Sequence, residues 1–172
     1  MPIAFITGIT GQDGSYLTEL LLGKGYTVHG IVRRSSSTER PRLDHLTSDG
    51  DIYNRTLFLH YADLTDITPL RRILRSVQPD EFYHFAGQSH VGLSFEVPES
   101  TCDFTAMGTL RILEILRDLD RPPRFLNIGS SEIFGNPRDV PQTEGTALRP
   151  VTPYGVAKAF AVLKAFGPDR PD

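Results

Sequence analysis

The chain has 172 residues, 39% hydrophobic and 23% charged, the balance of one globular domain long enough to bury a core. A formal net charge of −3 supplies no broad basic field and argues against a nucleic-acid partner. The one cysteine, Cys102, excludes an intramolecular disulfide framework, and no apolar run approaches the ~20 residues that span a bilayer.

The opening stretch Met1-Pro2-Ile3-Ala4-Phe5-Ile6-Thr7 lacks the basic region and long apolar core of a secretion signal. It runs directly into a glycine-rich turn, so it reads as a first strand, with the cytoplasm as the expected compartment. Further strands are expected at Thr27–Val32 and at residues 56–61, 81–85 and 125–128, short runs rich in Val, Ile, Phe and Tyr. Amphipathic stretches alternate with them. Tyr16, Leu17, Leu20, Leu21 and Leu22 supply the apolar face of a first helix ending near Gly23 and Gly25. Ile67, Leu70, Ile73, Leu74 and Val77 recur at helical spacing before Pro79. A long helix over 98–119 carries Phe104, Met107, Leu110, Ile112, Leu113 and Leu116, with Cys102 as a small buried hydrophobe, and a last helix covers 154–166. Residues 33–51 and 136–153 read as irregular, functional loops. This alternation predicts an α/β fold, a Rossmann-type doubly wound parallel sheet.

Four motifs carry chemistry. Gly8-Ile9-Thr10-Gly11-Gln12-Asp13-Gly14 follows the first strand and opens the first helix. Its glycines permit a tight turn, close approach to a pyrophosphate and close helix–strand packing, and helix amides face the phosphates. Where an NAD site wants a carboxylate on the ribose, at the end of the second strand, stand Arg33 and Arg34. Guanidinium groups suit a 2′-phosphate, so NADP is the favoured cofactor, unless these are solvated loop arginines. Tyr154-Gly155-Val156-Ala157-Lys158 puts a tyrosine and a lysine one turn apart on a helix face. A free tyrosine, with pKa ~10, is a poor base at neutral pH, and a nearby ammonium favours the phenolate.

Gly129-Ser130-Ser131-Glu132 follows the fifth strand, at the carboxyl ends of the strands where doubly wound folds place substrate. Ser130 is a hydrogen-bond donor for a substrate oxygen and Glu132 an acid or base, the alternative being a turn of capping serines with a solvated glutamate. His84 falls in a buried strand and His90 in the following loop, without partners at metal-ligand spacing, so no metal is expected.

Together, the stretch Ile6 to Tyr16, Arg33-Arg34-Ser35-Ser36, Ala86 to Val91, Ser130 to Gly135 and the Tyr154 motif resemble the extended short-chain dehydrogenases, and among them the sugar-nucleotide 4,6-dehydratases. The resemblance covers the chain up to about Ala161. It implies catalytic roles for Ser130, Glu132, Tyr154 and Lys158. It implies cofactor contacts at Gly8, Thr10, Gly11, Gln12, Asp13, Gly14, Arg33, Asp63, Leu64, Ala86, Gln88 and Ser89, besides Tyr154 and Lys158. The implied substrate is a nucleotide sugar, GDP-mannose. The implied assembly is a homo-oligomer, in which the loop after Arg33 reaches a neighbouring subunit's cofactor. Two departures stand out: Gly87 where alanine is expected, and Ser100 in place of a tyrosine that relatives present to the cofactor. The family's lobe that grips the nucleotide sugar lies beyond residue 172, so residues 1–172 are expected to form the NADP-binding Rossmann domain with the catalytic residues and without that lobe. Two alternatives stay open: a 4-epimerase or 4-keto reductase of the same family, and a non-catalytic NADP-binding module.

Overall fold

The computed structural model describes residues 1–34 and 40–166. Ser35 and Ser36 of the arginine–serine stretch, and the tail from Gly167, lie outside the described residues. The chain divides into two compact units, one formed by Met1–Ala86 with Glu114–Leu126, the other by Gly87–Leu113 with the residues from Asn127 on.

The first unit is built on parallel strands β1 (Ile3–Thr7), β2 (Thr27–Val32), β3 (Leu57–Tyr61), β4 (Glu81–His84) and β5 (Arg124–Asn127, its last residue counted with the second unit), in the order β3-β2-β1-β4-β5. Register aligns Phe5 with His29 and Phe82, and His29 with Phe58. Side chains alternate across the pleat, so Ala4, Ile6, Val28, Val32 and Leu57 share one face. They cluster there with Leu21 of α1 (Gln12–Gly23) and with Leu43 and Leu46, the latter on the short α2 (Asp44–Thr47). The opposite face carries Phe58, His29, Phe5, Phe82 and Phe125 as a row of aromatic rings, Phe5 and Phe82 lying 5.3 Å apart and fully buried. Right-handed crossovers explain the two faces. The chain steps from β1 outward to β3, then returns across to β4, so α1 and α3 (Ile67–Val77) belong to opposite sides. Helix α3 starts where Asp66 accepts a hydrogen bond from the Thr68 amide at 3.0 Å, and stops at Gln78, whose φ is 47°.

The inward face of α1 differs from the expected one. Gly14, Ser15, Thr18 and Leu21 are buried, whereas Tyr16 and Leu20 are 64% and 54% exposed. The cause is Gly14: it packs against the Gly8 and Ile9 backbone, and helical geometry then turns positions 14, 18 and 21 inward and swings Tyr16 and Leu20 out.

The second unit contains α4 (Leu93–Glu96), α5 (Pro98–Cys102), a π-helical turn at Asp103–Met107, most of α6 (Gly108–Arg117), a 3₁₀ turn at Ser131–Ile133 and α7 (Pro153–Phe166). The expected single helix over 98–119 is therefore interrupted and ends at Arg117. The π turn breaks the α-helical spacing; Met107 at its end is 39% exposed, and Cys102 just before it is half-buried rather than in the core. Within this unit α7 packs on α5, on the π turn and on the 3₁₀ turn. Among the described residues no helix is long and apolar enough to cross a membrane.

Candidate dinucleotide cradle and catalytic cluster

In the first unit, Gly8 follows β1 and Ala86 follows β4, the strands flanking the point where strand order reverses. Gly8 has φ of 74°, and a Cβ there would sit 2.8 Å from the Ala86 amide nitrogen. A Cβ on Gly14 would run into the Gly8 carbonyl and lie 2.8 Å from Ile9 Cα. Only glycine fits either place. Gly11 caps α1 with no side chain on the first-turn amides, and its own amide donates to Gly8 O at 2.9 Å. The amides of Gln12, Asp13 and Gly14 precede the first residue that has an intrahelical acceptor, so they are open donors at the positive end of a helix of 12 residues. Thr10 is exposed beside them. This cradle suits a pyrophosphate, and the residues present fit the dinucleotide.

Arg33 and Arg34 follow β2 and are exposed. A cavity of about 500 Å³ is lined by Arg34, Tyr61, Ala62, Asp63, Asp66 and Pro69; Arg34, not Arg33, faces it. The Asp63 carboxylate accepts hydrogen bonds from the Thr65 amide at 2.9 Å and the Thr65 hydroxyl at 2.8 Å. Leu64 is 1% exposed, which leaves its backbone rather than its side chain for a ligand.

In the second unit, Tyr154 and Lys158 lie on α7 and are both buried. Lys158 Nζ donates to the Ile128 carbonyl at 2.9 Å, and burial lowers its pKa from the ordinary lysine value. Glu132 sits in the 3₁₀ turn, which Ser130 caps by accepting the Glu132 amide at 3.3 Å. Thr152, which belongs to none of the sequence motifs, ties the cluster together. Its hydroxyl accepts the Gly155 amide at 2.9 Å, capping α7, and donates to Glu132 Oε2 at 3.3 Å. A Cβ on Gly155 would stand 2.6 Å from the Glu132 carbonyl oxygen. The signal was present as Thr152 ahead of Pro153, a capping residue before a proline at the first helical position.

Gln88 is fixed by four bonds. Its amide donates to Thr105 Oγ1 at 3.2 Å, its Nε2 donates to His90 O at 3.0 Å and to Thr101 Oγ1 at 3.4 Å, and its Oε1 accepts the His90 amide. Ser89 is exposed beside it, and Ser100 is exposed as well. His90 serves locally, its Nδ1 accepting the Leu93 amide at 2.9 Å. His84, in the first unit, is buried as expected and shares a hydrogen bond with Thr7 Oγ1 at 2.6 Å.

A parallel sheet in this order, with a G-x-x-G-x-x-G turn after β1 and a Y-x-x-x-K helix, defines a nucleotide-binding Rossmann fold of the extended short-chain dehydrogenase class. Solved structures agree. A dTDP-glucose 4,6-dehydratase of Streptomyces venezuelae, solved with NAD bound, superposes with a TM-score of 0.81 at 27% identity, over 95% of this chain and 50% of that one. A UDP-glucose 4-epimerase of Bifidobacterium longum gives 0.79 at 25% identity, over 95% of this chain and 48% of that one. The sequence profile of the GDP-mannose 4,6 dehydratase family matches residues 5–165, and the chain belongs to that family. It is 53% identical over 163 residues to a GDP-mannose 4,6-dehydratase of Yersinia enterocolitica, covering 94% of this chain and 44% of that protein. It is 51% identical over 164 residues to GDP-mannose 4,6 dehydratase 2 of Arabidopsis thaliana, over 92% and 44% respectively. The chain thus spans less than half the length of these relatives.

Proposed function

We propose that this chain carries the cofactor-binding and catalytic part of a sugar-nucleotide 4,6-dehydratase that converts GDP-mannose to GDP-4-keto-6-deoxymannose. The observation that carries this reading is the anchored carboxylate: Glu132 is tied through Thr152 to the first turn of the helix bearing Tyr154. A 4-epimerase or 4-keto reductase needs no acid–base group of this kind; a dehydratase does.

The cofactor in this reading is NADP; the first unit's own candidates for contacting it are Gly8, Thr10, Gly11, Gln12, Asp13, Gly14, Arg33, Asp63, Leu64 and Ala86, and the second unit's own candidates are Gln88, Ser89, Tyr154 and Lys158. When bound, NADP would supply a hydride acceptor for C4 of the sugar and a hydride donor for C6. The chain's own residues move the protons. Tyr154 takes the C4 hydroxyl proton, and Ser130 hydrogen-bonds the C4 oxygen. Lys158 places a positive charge one turn from the tyrosine and holds the nicotinamide ribose with N–H groups that Ile128 leaves open. The 4-ketone acidifies C5, so Glu132 removes that proton and delivers it to the C6 hydroxyl, which departs as water. The proton that Tyr154 took from the C4 hydroxyl is the one that ends on C5, so Tyr154 and Glu132 both return to their starting states. Residues 1–172 act here as the dinucleotide-binding and catalytic domain, while grip on the sugar falls to the part of the relatives' length that this chain does not cover. A cytoplasmic homo-oligomer belongs to the same reading.

The test is incubation of the purified chain with NADP⁺ and GDP-mannose, followed by mass spectrometry for a nucleotide sugar lighter by one water. Product that vanishes in Tyr154→Phe and Glu132→Gln supports the proposal. NADP⁺ binding without product replaces it with a non-catalytic, NADP-binding module.

A further inference from the structure

Helix α3 carries Arg71, Arg72 and Arg75 and no carboxylate among its 11 residues. Leu70 and Leu74 form its buried side. Thr68, Arg71, Arg72 and Arg75 stand three and four positions apart, so they are neighbours on the helix surface. With Ile67 they line a groove of about 370 Å³ whose lining contains no acidic side chain. Arg71 is aimed by Asp118, to which its Nη1 donates at 2.9 Å. Arg72 and Arg75 are exposed and make no ion pair among the described residues. Neighbouring guanidinium groups without a counter-charge repel each other. The helix dipole favours a cation in the last turn, which accounts for Arg75. It accounts neither for Arg72 nor for the groove.

We infer that this groove is a second anion site, which takes the diphosphate or triphosphate group of a small molecule on Arg71, Arg72 and Arg75. Its volume lies in the range of small-molecule pockets. At 1.5 Å of rise per residue, Arg71 and Arg75 are about 6 Å apart along the helix axis. One phosphate group therefore meets one or two of the guanidinium forks, whereas linked phosphates meet all three. Guanidinium presents paired N–H groups that match phosphate oxygens, and Thr68 adds a hydroxyl donor at the N-terminal end of the groove. The site is separate from the dinucleotide cradle, because α1 and α3 lie on opposite sides of the sheet. It does not depend on the function proposed above.

The probes are inorganic pyrophosphate and tripolyphosphate, and binding is read by isothermal titration calorimetry on the intact chain at a fixed ionic strength of about 0.15 M. The wild type is expected to bind both. Arg72→Gln/Arg75→Gln should weaken that binding at least about tenfold, through the loss of charge-assisted hydrogen bonds. Both side chains are exposed, so this variant keeps the fold. Arg55→Gln/Arg121→Gln removes the same charge from exposed positions of the same unit outside the groove. It should leave the affinity within about twofold, because screening limits the reach of distant charges. Equal losses in the two double variants reduce the effect to net charge and overturn the inference. Binding that survives the loss of Arg72 and Arg75 puts the anion elsewhere and overturns it too, as does a wild type that binds neither probe. Uridine diphosphate, added as a third probe, separates the sources of the phosphate group. Binding tighter than pyrophosphate and lost with the same two arginines identifies a nucleotide as the ligand; equal or weaker binding with that loss identifies a free oligophosphate.

Discussion

Acid should loosen the first unit through two histidines on one sheet face. His29 on β2 and His60 on β3 stack at 5.2 Å with an interplanar angle of 5°, and His29 Nδ1 lies 2.9 Å from His60 Nε2. One ring must donate and the other accept, so at least one is neutral. Phe58 stacks on His29 at 4.8 Å and Phe5 on His60 at 6.4 Å. Desolvation, and then the charge on His60, lowers His29 from 6.5 to about 4, and desolvation lowers His60 as well. The folded state therefore refuses a proton that the unfolded chain accepts. The His29 contribution to stability is complete above pH 6.5 and is lost as pH falls toward about 4. Taken at face value the shift corresponds to about 2 kcal/mol lost by pH 5, and solvent screening of a half-exposed ring reduces that to roughly 1 kcal/mol. The melting temperature should then drop by roughly 2–4 °C between pH 7.5 and pH 5, a window in which ordinary carboxylates stay largely ionised. Calorimetry of wild type and His29→Phe checks this, since the phenyl ring keeps the stack on Phe58 and cannot be protonated. The variant should lose most of the pH-dependent drop. Equal drops in the two proteins, or an NMR titration placing His29 near 6.5, would refute the reasoning.

Two glycines give opposite expectations. Gly14→Ala drives a methyl group into the Gly8 and Ile9 backbone, so α1 must shift off the cradle. NADP⁺ affinity should fall at least about tenfold and stability by about 1–3 kcal/mol, read by titration calorimetry and thermal melting. Gly87→Ala finds its nearest neighbours in Lys158 and Thr105, with Nζ and Oγ1 each at 3.7 Å. The new methyl group fits, so the alanine expected at this position should raise stability by about 0.4–1 kcal/mol by restricting the unfolded chain; a lowered melting temperature would contradict that.

The elements most legible in the sequence were those whose signal is local. Apolar strands between helical repeats, the glycine turn after β1 and the Y-x-x-x-K pair each lie within a few residues, and the sheet order follows from handed crossovers. Contacts between distant residues were not legible. Nothing within α1 indicates that Gly14 rather than Leu20 faces inward; that follows from a backbone contact with Gly8. The π turn at Asp103–Met107 has no compositional signature, since it differs from α-helix only in which carbonyl each amide chooses. Arg40 lies in a stretch read only as an irregular loop, because its partner Tyr61 is 21 positions away.

The second unit shows why its catalytic candidates cannot be adjusted one at a time. Helix α7 begins where Thr152 caps it, and the same hydroxyl holds Glu132 Oε2. Gly155 lacks a side chain where the Glu132 carbonyl presses on the helix, and Ser130 fixes the amide of Glu132 from the other side. Lys158, one turn beyond Tyr154, reaches back to Ile128, two residues before Ser130. The turn carrying Ser130 and Glu132 and the helix carrying Tyr154 and Lys158 are thus joined by two separate polar links and one close backbone contact. A change at Thr152 that loosens the cap also frees the carboxylate, so loss of stability and loss of acid–base placement arise together. Thr152→Ser, which keeps the hydroxyl, separates the need for that oxygen from the need for the methyl group.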